Sequence, residues 1–313
     1  MRILVVGAGA IGGYFGGRLL EAGRDVTFLV RPRRAAQLAN TGLVIKSPFG
    51  DVSIPSPPTV TADALRAPFD LILLSCKSYD LEAAADSFAP AVGDNTAILP
   101  LLNGMRHIDL LADRFGRSAV LGGQCVISTT LDAEGRVLHL IEAHNLSFGE
   151  RDGTASARAQ AIAAALAGAR FESRLSLNVM QEMWEKWVVI SAMAGISCLM
   201  RAMVCDIMAA GGEALTVALL DECAAIATAH GFKPGAAVYA RQRAMLTAPS
   251  STLAASMLRD MERGAPTEAD HIVGDLLQRG GAARDFPVLR TAYTHMRAYE
   301  ARRKRENAAT KSA

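Results

Sequence analysis

Gly7-Ala8-Gly9-Ala10-Ile11-Gly12 follows an apolar run, Arg2 to Val6, and opens a stretch of helical periodicity from Ala10 to Ala22. A G-x-G-x-x-G between a strand and a helix has the parts to hold a pyrophosphate. Gly7 makes the tight turn, Gly9 lets backbone approach the anion, and Gly12 lets the helix pack on the strand. The helix start at Ala10 and Ile11 turns N–H groups and a positive dipole end toward the same anion. Alone the hexapeptide is weak, and an ordinary glycine-rich turn would read the same. A second apolar run, Asp25 to Val30, completes a βαβ unit and favours the dinucleotide reading.

The end of that second run selects the dinucleotide. An NAD site usually carries an acidic residue there, about 20 residues past the glycines, to bind the ribose 2′-hydroxyl. Phe28-Leu29-Val30-Arg31-Pro32-Arg33-Arg34 offers no carboxylate and three arginines. A guanidinium fork suits a 2′-phosphate, so NADP(H) is expected over NAD(H), with Arg31 the first candidate. A solvated, arginine-rich helix start accounts for the same residues without a ligand.

Further along, Lys186 stands on a helical stretch whose next 14 residues, Trp187 to Met200, carry no charge. An amine beside an apolar core loses hydration, which eases proton donation near neutral pH. A lysine snorkelling from a helix start is the plainer alternative. Glu268 follows Pro266-Thr267, and Thr267 with Asp270 forms a T-x-x-D capping pattern, so Glu268 is expected in a first helical turn. Lys77 and Asn103 each follow a predicted parallel strand at its carboxyl end, where open α/β sheets bind ligands. Asn103-Gly104 is also a favoured turn pair.

The elements that must place these residues fall into two halves. Apolar runs at Phe69–Leu74, Ala97–Leu101 and Ala119–Leu121 alternate with helical stretches at Asp80–Ala91 and Met105–Phe115. Continuous apolar strands alternating with helices imply a doubly wound parallel sheet of the Rossmann type. Gly42–Ile54 is expected as an inserted hairpin. Gln124–Thr130, Arg136–Ile141 and Asn145–Phe148 are expected as antiparallel strands, Ala155–Ala169 as a helix and Arg170–Glu172 as a last strand. From Asn178 the pattern is helical: 178–200, 203–208, 212–230, 235–247, 251–263, 267–279 and 287–302. The expected division is therefore α/β over residues 1–174 and all-helical over 175–313. The basic tail from Arg302 is expected to be a frayed, solvated terminus.

Composition narrows the function classes. The chain has 313 residues, about two domains' worth, with 50% hydrophobic residues and 20% charged, which excludes a disordered chain. Lysine plus arginine number 33 and aspartate plus glutamate 31, and a net charge of +2 gives no reason to expect nucleic acid. The five cysteines are scattered without a C-x-x-C pair, and the six histidines, His139 and His144 among them, show no ligand spacing; no metal is expected. The apolar N-terminus runs straight into the glycine turn and reads as a first strand rather than a signal peptide. The 14-residue uncharged stretch falls short of the ~20 a membrane span needs, so a cytoplasmic protein is expected.

With these residues read, the chain resembles the ketopantoate reductase (2-dehydropantoate 2-reductase) family. The likeness runs through Ile3 to Gly16, Ser75-Cys76-Lys77-Ser78-Tyr79-Asp80, Leu102-Asn103-Gly104-Met105 and Trp184-Glu185-Lys186-Trp187. It continues through Ser256-Met257-Leu258-Arg259-Asp260 and Thr267-Glu268-Ala269-Asp270. The resemblance implies an NADPH-dependent reductase of a 2-oxo acid. It makes Lys186 the general acid, Glu268 the group that orients substrate and lysine and also meets the cofactor, and Ser256 the holder of the substrate carboxylate. Lys77 and Asn103 would line the nicotinamide and substrate cleft. Ser256 bonding its own backbone is the plainer reading of that serine.

Three positions depart from the family pattern. Asparagines expected one and two turns beyond the lysine, and three residues before the serine, are Ile190, Ala194 and Leu253. Such a site cannot bond a substrate hydroxyl in the same way, so ketopantoate is the first-guess substrate and a more apolar 2-oxo acid the alternative. An NADP-binding regulatory protein with a decayed site is the rival from another class; joint retention of Lys186, Ser256 and Glu268 argues against it. A helical second half also allows a homodimer.

Overall fold

The computed structural model describes residues 1–282 and 284–312. The chain divides into two compact units, Met1–Leu102 with His107–Met180, and Asn103–Arg106 with Gln181 onward.

The first unit is built on β1 (Arg2–Val6), α1 (Ala10–Glu21), β2 (Asp25–Leu29), α2 (Pro32–Thr41), β3 (Leu43–Lys46), β4 (Val52–Ile54) and β5 (Thr59–Val60). It continues through β6 (Leu71–Leu74), α3 (Leu81–Phe88), β7 (Ala97–Pro100), α4 (Arg106–Phe115), β8 (Gly122–Leu131), β9 (Val137–Gly149), α5 (Ala157–Leu166) and β10 (Glu172–Leu175). Five strands form a parallel sheet in the order β5-β2-β1-β6-β7. The strand order reverses between β1 and β6, and the crevice outside the carboxyl ends there is where such sheets take ligands. The expected strand at Ala119–Leu121 is reduced to one parallel bridge, Ile98 to Val120.

A second sheet, β10-β9-β3-β4 with β8 paired to β9, covers the other side of α1. The helix fits between the sheets because its glycines admit close neighbours. A side chain at Gly16 would meet the Phe28 ring at 2.6 Å, and one at Gly17 would meet Ile45 at 2.6 Å. The hairpin expected over Gly42–Ile54 forms as antiparallel β3 and β4. Two expectations change. Arg136–Ile141 and Asn145–Phe148 are one strand, β9, because a register shift between Ile127 and Thr129 of β8 absorbs the irregularity. The last strand lies later, at Glu172–Leu175, and runs parallel to β9, with Phe171 buried in the core.

His139 and His144 stack on this sheet with ring centroids 5.6 Å apart. His139 Nε2 lies 3.1 Å from the Ala143 carbonyl, which only accepts, so its Nδ1 takes the Ser47 hydroxyl at 2.9 Å. His144 Nδ1 is 2.7 Å from Tyr14 Oη, and Phe49 stacks on its ring at 3.9 Å. Burial first, then the neighbouring His139 and Arg18, hold the His144 pKa below 6.5. A neutral native imidazole gives stability that is complete above pH 6.5 and is lost as pH falls below it. Wild-type Tm is therefore expected to drop between pH 7.5 and 5.5 by more than that of His144→Gln, measured by thermal melts of both proteins.

Beyond residue 178 every described element is a helix: α6 (Val179–Met200), α7 (Val204–Ala209), α8 (Glu213–Ala229), α9 (Ala236–Leu246), α10 (Ser256–Glu262), α11 (Asp275–Gly280) and α12 (Pro287–Ser312). A π-helical turn, Asp270–Gly274, leads into α11. Helix α10 starts five residues later than the 251–263 pattern suggests, because the Ser251 and Leu253 carbonyls accept from Cys205 and Val204 at the start of α7. The tail is not frayed: α12 continues to Ser312, with an Arg302–Glu306 pair one turn apart at 3.7 Å. Helix α6 is long and apolar enough, by composition, to cross a membrane, yet most of that stretch is buried within the fold.

Candidate functional site

At the end of β1 the chain turns through Gly7, whose φ of +93° lies in the left-handed region that favours glycine. Parallel register sets Val6 beside Leu74, which brings Ser75 behind the turn. The Ser75 hydroxyl donates to the Val6 carbonyl at 3.0 Å and lies 3.3 Å from that of Gly7. A Cβ on Gly12 would sit 2.1 Å from the Gly7 carbonyl oxygen and 2.2 Å from Ser75 Oγ, so this side of the turn is closed. A Cβ on Gly9 would meet nothing within 4 Å, so that side is open. Helix α1 begins at Ala10 with no side-chain cap and no acidic residue in its first turn. A closed back, an open front and uncapped helix amides fit a bound pyrophosphate.

Arg31 precedes α2, its side chain 75% exposed, and donates to Asp80 at 2.7 Å. Arg34 is taken up structurally, donating to the carbonyls of Ala8 and Gly135, both at 3.0 Å, and to Gln37 at 2.6 Å. Lys77 is exposed just beyond β6 and caps a single 3-10 turn, Ser78–Asp80. The glycine turn, Arg31 and Lys77 thus share the carboxyl edge of the parallel sheet.

The second unit holds the remaining candidates. Lys186 is half-buried on α6 between Trp184 and Trp187, which are 3% and 0% exposed. Trp184 stacks on Phe232 with centroids 5.3 Å apart, and the Trp187 indole donates to the Ile272 carbonyl at 2.9 Å. That bond ties the Lys186 helix to the π turn that follows Glu268. Glu268 is buried. It lies just before the helix rather than in its first turn, and its carbonyl accepts from the amides of His271 and Ile272. The expected T-x-x-D cap gives way to contacts with α12. Thr267 bonds Glu300 through amide and hydroxyl, and Asp270 takes Tyr293 and Arg297.

Asn103 is half-buried in this unit, followed by Gly104 at φ +83°. A Cβ at Gly104 would meet the His271 carbonyl oxygen at 3.1 Å and its ring at 3.2 Å. The His271 ring bonds the Asn103 carbonyl, while burial, ahead of every other influence, lowers its pKa. Ser256 opens α10 and is exposed; the preceding Ala255 amide donates to Ser197 of α6 at 3.4 Å. Lys186, Ile190, Ala194 and Ser197 share one face of α6 by helical spacing. Ile190 is half-buried, Ala194 buried, and Leu253 48% exposed. Ser75 and Asp80 lie in a block of family likeness that assigns them no role, and His271 lies in no recognisable motif; the structure brings out all three. Among the described residues no cluster of metal-ligating side chains occurs.

A parallel sheet with a glycine-rich first turn, joined to a helical unit carrying a lysine and a carboxylate, defines an oxidoreductase of the nucleotide-binding kind. The profile "Ketopantoate reductase PanE/ApbA" matches residues 3–153, and its C-terminal counterpart matches residues 178–300. The chain belongs to the ketopantoate reductase family. It is 37% identical over 303 residues to the uncharacterized oxidoreductase YkpB of Bacillus subtilis, covering 96% of this chain and 99% of that one. It is 27% identical to a 2-dehydropantoate 2-reductase of Mesorhizobium japonicum, over 90% and 91% of the two chains. The crystal structure of 2-dehydropantoate 2-reductase from Methylococcus capsulatus superposes with a TM-score of 0.86 at 27% identity, over 97% and 98% of the chains.

Proposed function

We propose that this protein reduces a 2-oxo acid to a 2-hydroxy acid with NADPH, with 2-dehydropantoate, the precursor of pantoate in pantothenate biosynthesis, as the first substrate to try. The observation that carries the reading is Lys186, half-buried on α6, a helix that the adjacent Trp187 ties to the turn after Glu268. The bound dinucleotide supplies the hydride. Gly7, Gly9, Ala10, Ile11 and Gly12 hold its pyrophosphate, Arg31 its 2′-phosphate, and Lys77 and Asn103 its nicotinamide end and the substrate. Lys186 gives a proton to the carbonyl oxygen as the carbon is reduced. Glu268 accepts hydrogen bonds that orient substrate and lysine, and Ser256 donates to the substrate carboxylate. The protein works in the cytoplasm, as a monomer or homodimer, without nucleic acid, membrane or metal.

Ile190, Ala194 and Leu253 support a second reading, a more apolar 2-oxo acid. The test follows NADPH oxidation at 340 nm with 2-dehydropantoate and with 3,3-dimethyl-2-oxobutanoate, which differs by lacking the hydroxyl. A site that bonds the hydroxyl discriminates by about 10⁴–10⁵-fold in kcat/KM, and an apolar one by about 10²-fold or less. The expected ratio is the smaller. Tight NADPH binding with no turnover of any 2-oxo acid would sink both readings in favour of a regulatory protein.

A further inference from the structure

Arg31 and Asp80 stand beyond the carboxyl ends of β2 and β6, the two strands that flank β1. Their 2.7 Å contact therefore reaches across the end of β1, over the glycine turn. The carboxylate that the end of β2 lacks in sequence is delivered there in space, 49 positions later in the chain. Both side chains reach solvent, at 75% and 36% exposure, so the pair can exchange for another partner. Arg34 has no such freedom, held on the Ala8 and Gly135 carbonyls.

We infer that Asp80 is a specificity-determining residue for the dinucleotide, holding Arg31 away from a 2′-phosphate and offering an acceptor to a 2′-hydroxyl. The inference rests on the dinucleotide reading of the glycine turn. The two cofactors feel this carboxylate with opposite sign. A 2′-phosphate, carrying a charge of about −2, must displace Asp80 from Arg31 and then lie beside its negative charge. A 2′-hydroxyl instead donates to Asp80, as it does to the acidic residue that usually ends the second strand. Arg31 thus favours NADPH while Asp80 narrows the margin. The same contact, foremost among its neighbours, holds the Arg31 pKa above its ordinary value.

The test is a fluorescence titration of the full chain with NADPH and with NADH, for wild type, Asp80→Asn, Arg31→Ala and the double variant. Asp80→Asn should raise the ratio of the NADH to the NADPH dissociation constant at least threefold. A smaller rise, or a fall, overturns the inference. With Arg31 already alanine, the same substitution should change the ratio less than it does in wild type. An equal change would show that Asp80 does not act by holding the arginine, and would overturn that part. Failure of wild type to bind either dinucleotide is a different result, and overturns the reading of the turn itself along with the role of Asp80.

Discussion

Lys186→Ala is expected to lower kcat for 2-oxo acid reduction by about 10²–10⁴-fold, the range for removing a positioned general acid. NADPH affinity should stay within about threefold of wild type, since the loss falls on a step after binding. The lysine's backbone is firmly held. Trp187 is fully buried and its indole is bonded to Ile272, Glu185 accepts the Gly235 amide at 3.0 Å, and Gln242 bonds the Glu185 carbonyl at 2.8 Å. Alanine is the strongest helix former, so the substitution removes the amine and leaves α6 in place. Lys186→Arg should not restore the rate, because a guanidinium with a pKa of about 12 or more is a poor proton donor near neutral pH. Steady-state kinetics on both variants at saturating NADPH make the check; a loss below about 10-fold for the alanine variant would mean that another group supplies the proton.

The parts of the fold visible in the sequence are those set by local pattern. Leu71-Ile72-Leu73-Leu74 is fully buried and could only be a central strand, and Gly7 to Gly12 marks its own turn. Helix boundaries failed where tertiary contacts overrode local preference. Residues 251–255 have helical spacing, yet the Ser251 and Leu253 carbonyls serve the start of α7. Asp270 has capping chemistry, yet Tyr293 and Arg297 claim its carboxylate. The site divides along the same line. Lys186 is marked in the sequence by the uncharged stretch that follows it and by its place in the Trp184-Glu185-Lys186-Trp187 block of family likeness. Ser75 could not be placed from sequence, since its position behind Gly12 depends on the register of β1 against β6. Asp80 could not be placed from sequence either: the end of β2 has no carboxylate in sequence, but it has one in space. His271 was hidden for another reason, since its partner Asn103 lies 168 positions earlier and is joined to it by a backbone carbonyl that no side-chain motif records.

The same methyl group on the two sides of the glycine turn should weaken NADPH binding in both cases but cost stability only on the closed side. Gly9→Ala adds a Cβ into open space at a backbone of φ −81° and ψ −160°, which alanine adopts without strain. Stability should hold or rise slightly, because alanine restricts the unfolded chain more than glycine. The methyl nevertheless occupies the face against which a pyrophosphate must lie, so NADPH affinity should fall at least about 10-fold, or roughly 1.4 kcal/mol. Gly12→Ala points its methyl the other way, onto the Gly7 carbonyl at 2.1 Å and Ser75 Oγ at 2.2 Å. Neither can yield cheaply, since the Ser75 hydroxyl is itself bonded to Val6 and the Gly7 amide donates to the Leu29 carbonyl at 2.9 Å. Overpacking of this kind costs about 1–3 kcal/mol, so Gly12→Ala should lower Tm as well as NADPH affinity. Thermal melts and NADPH titrations on the two variants separate the effects, and wild-type affinity in Gly9→Ala would remove the pyrophosphate from this turn. Adding Ser75→Ala to Gly12→Ala should recover only part of the lost stability, because it relieves the contact at 2.2 Å and leaves the backbone carbonyl at 2.1 Å in place.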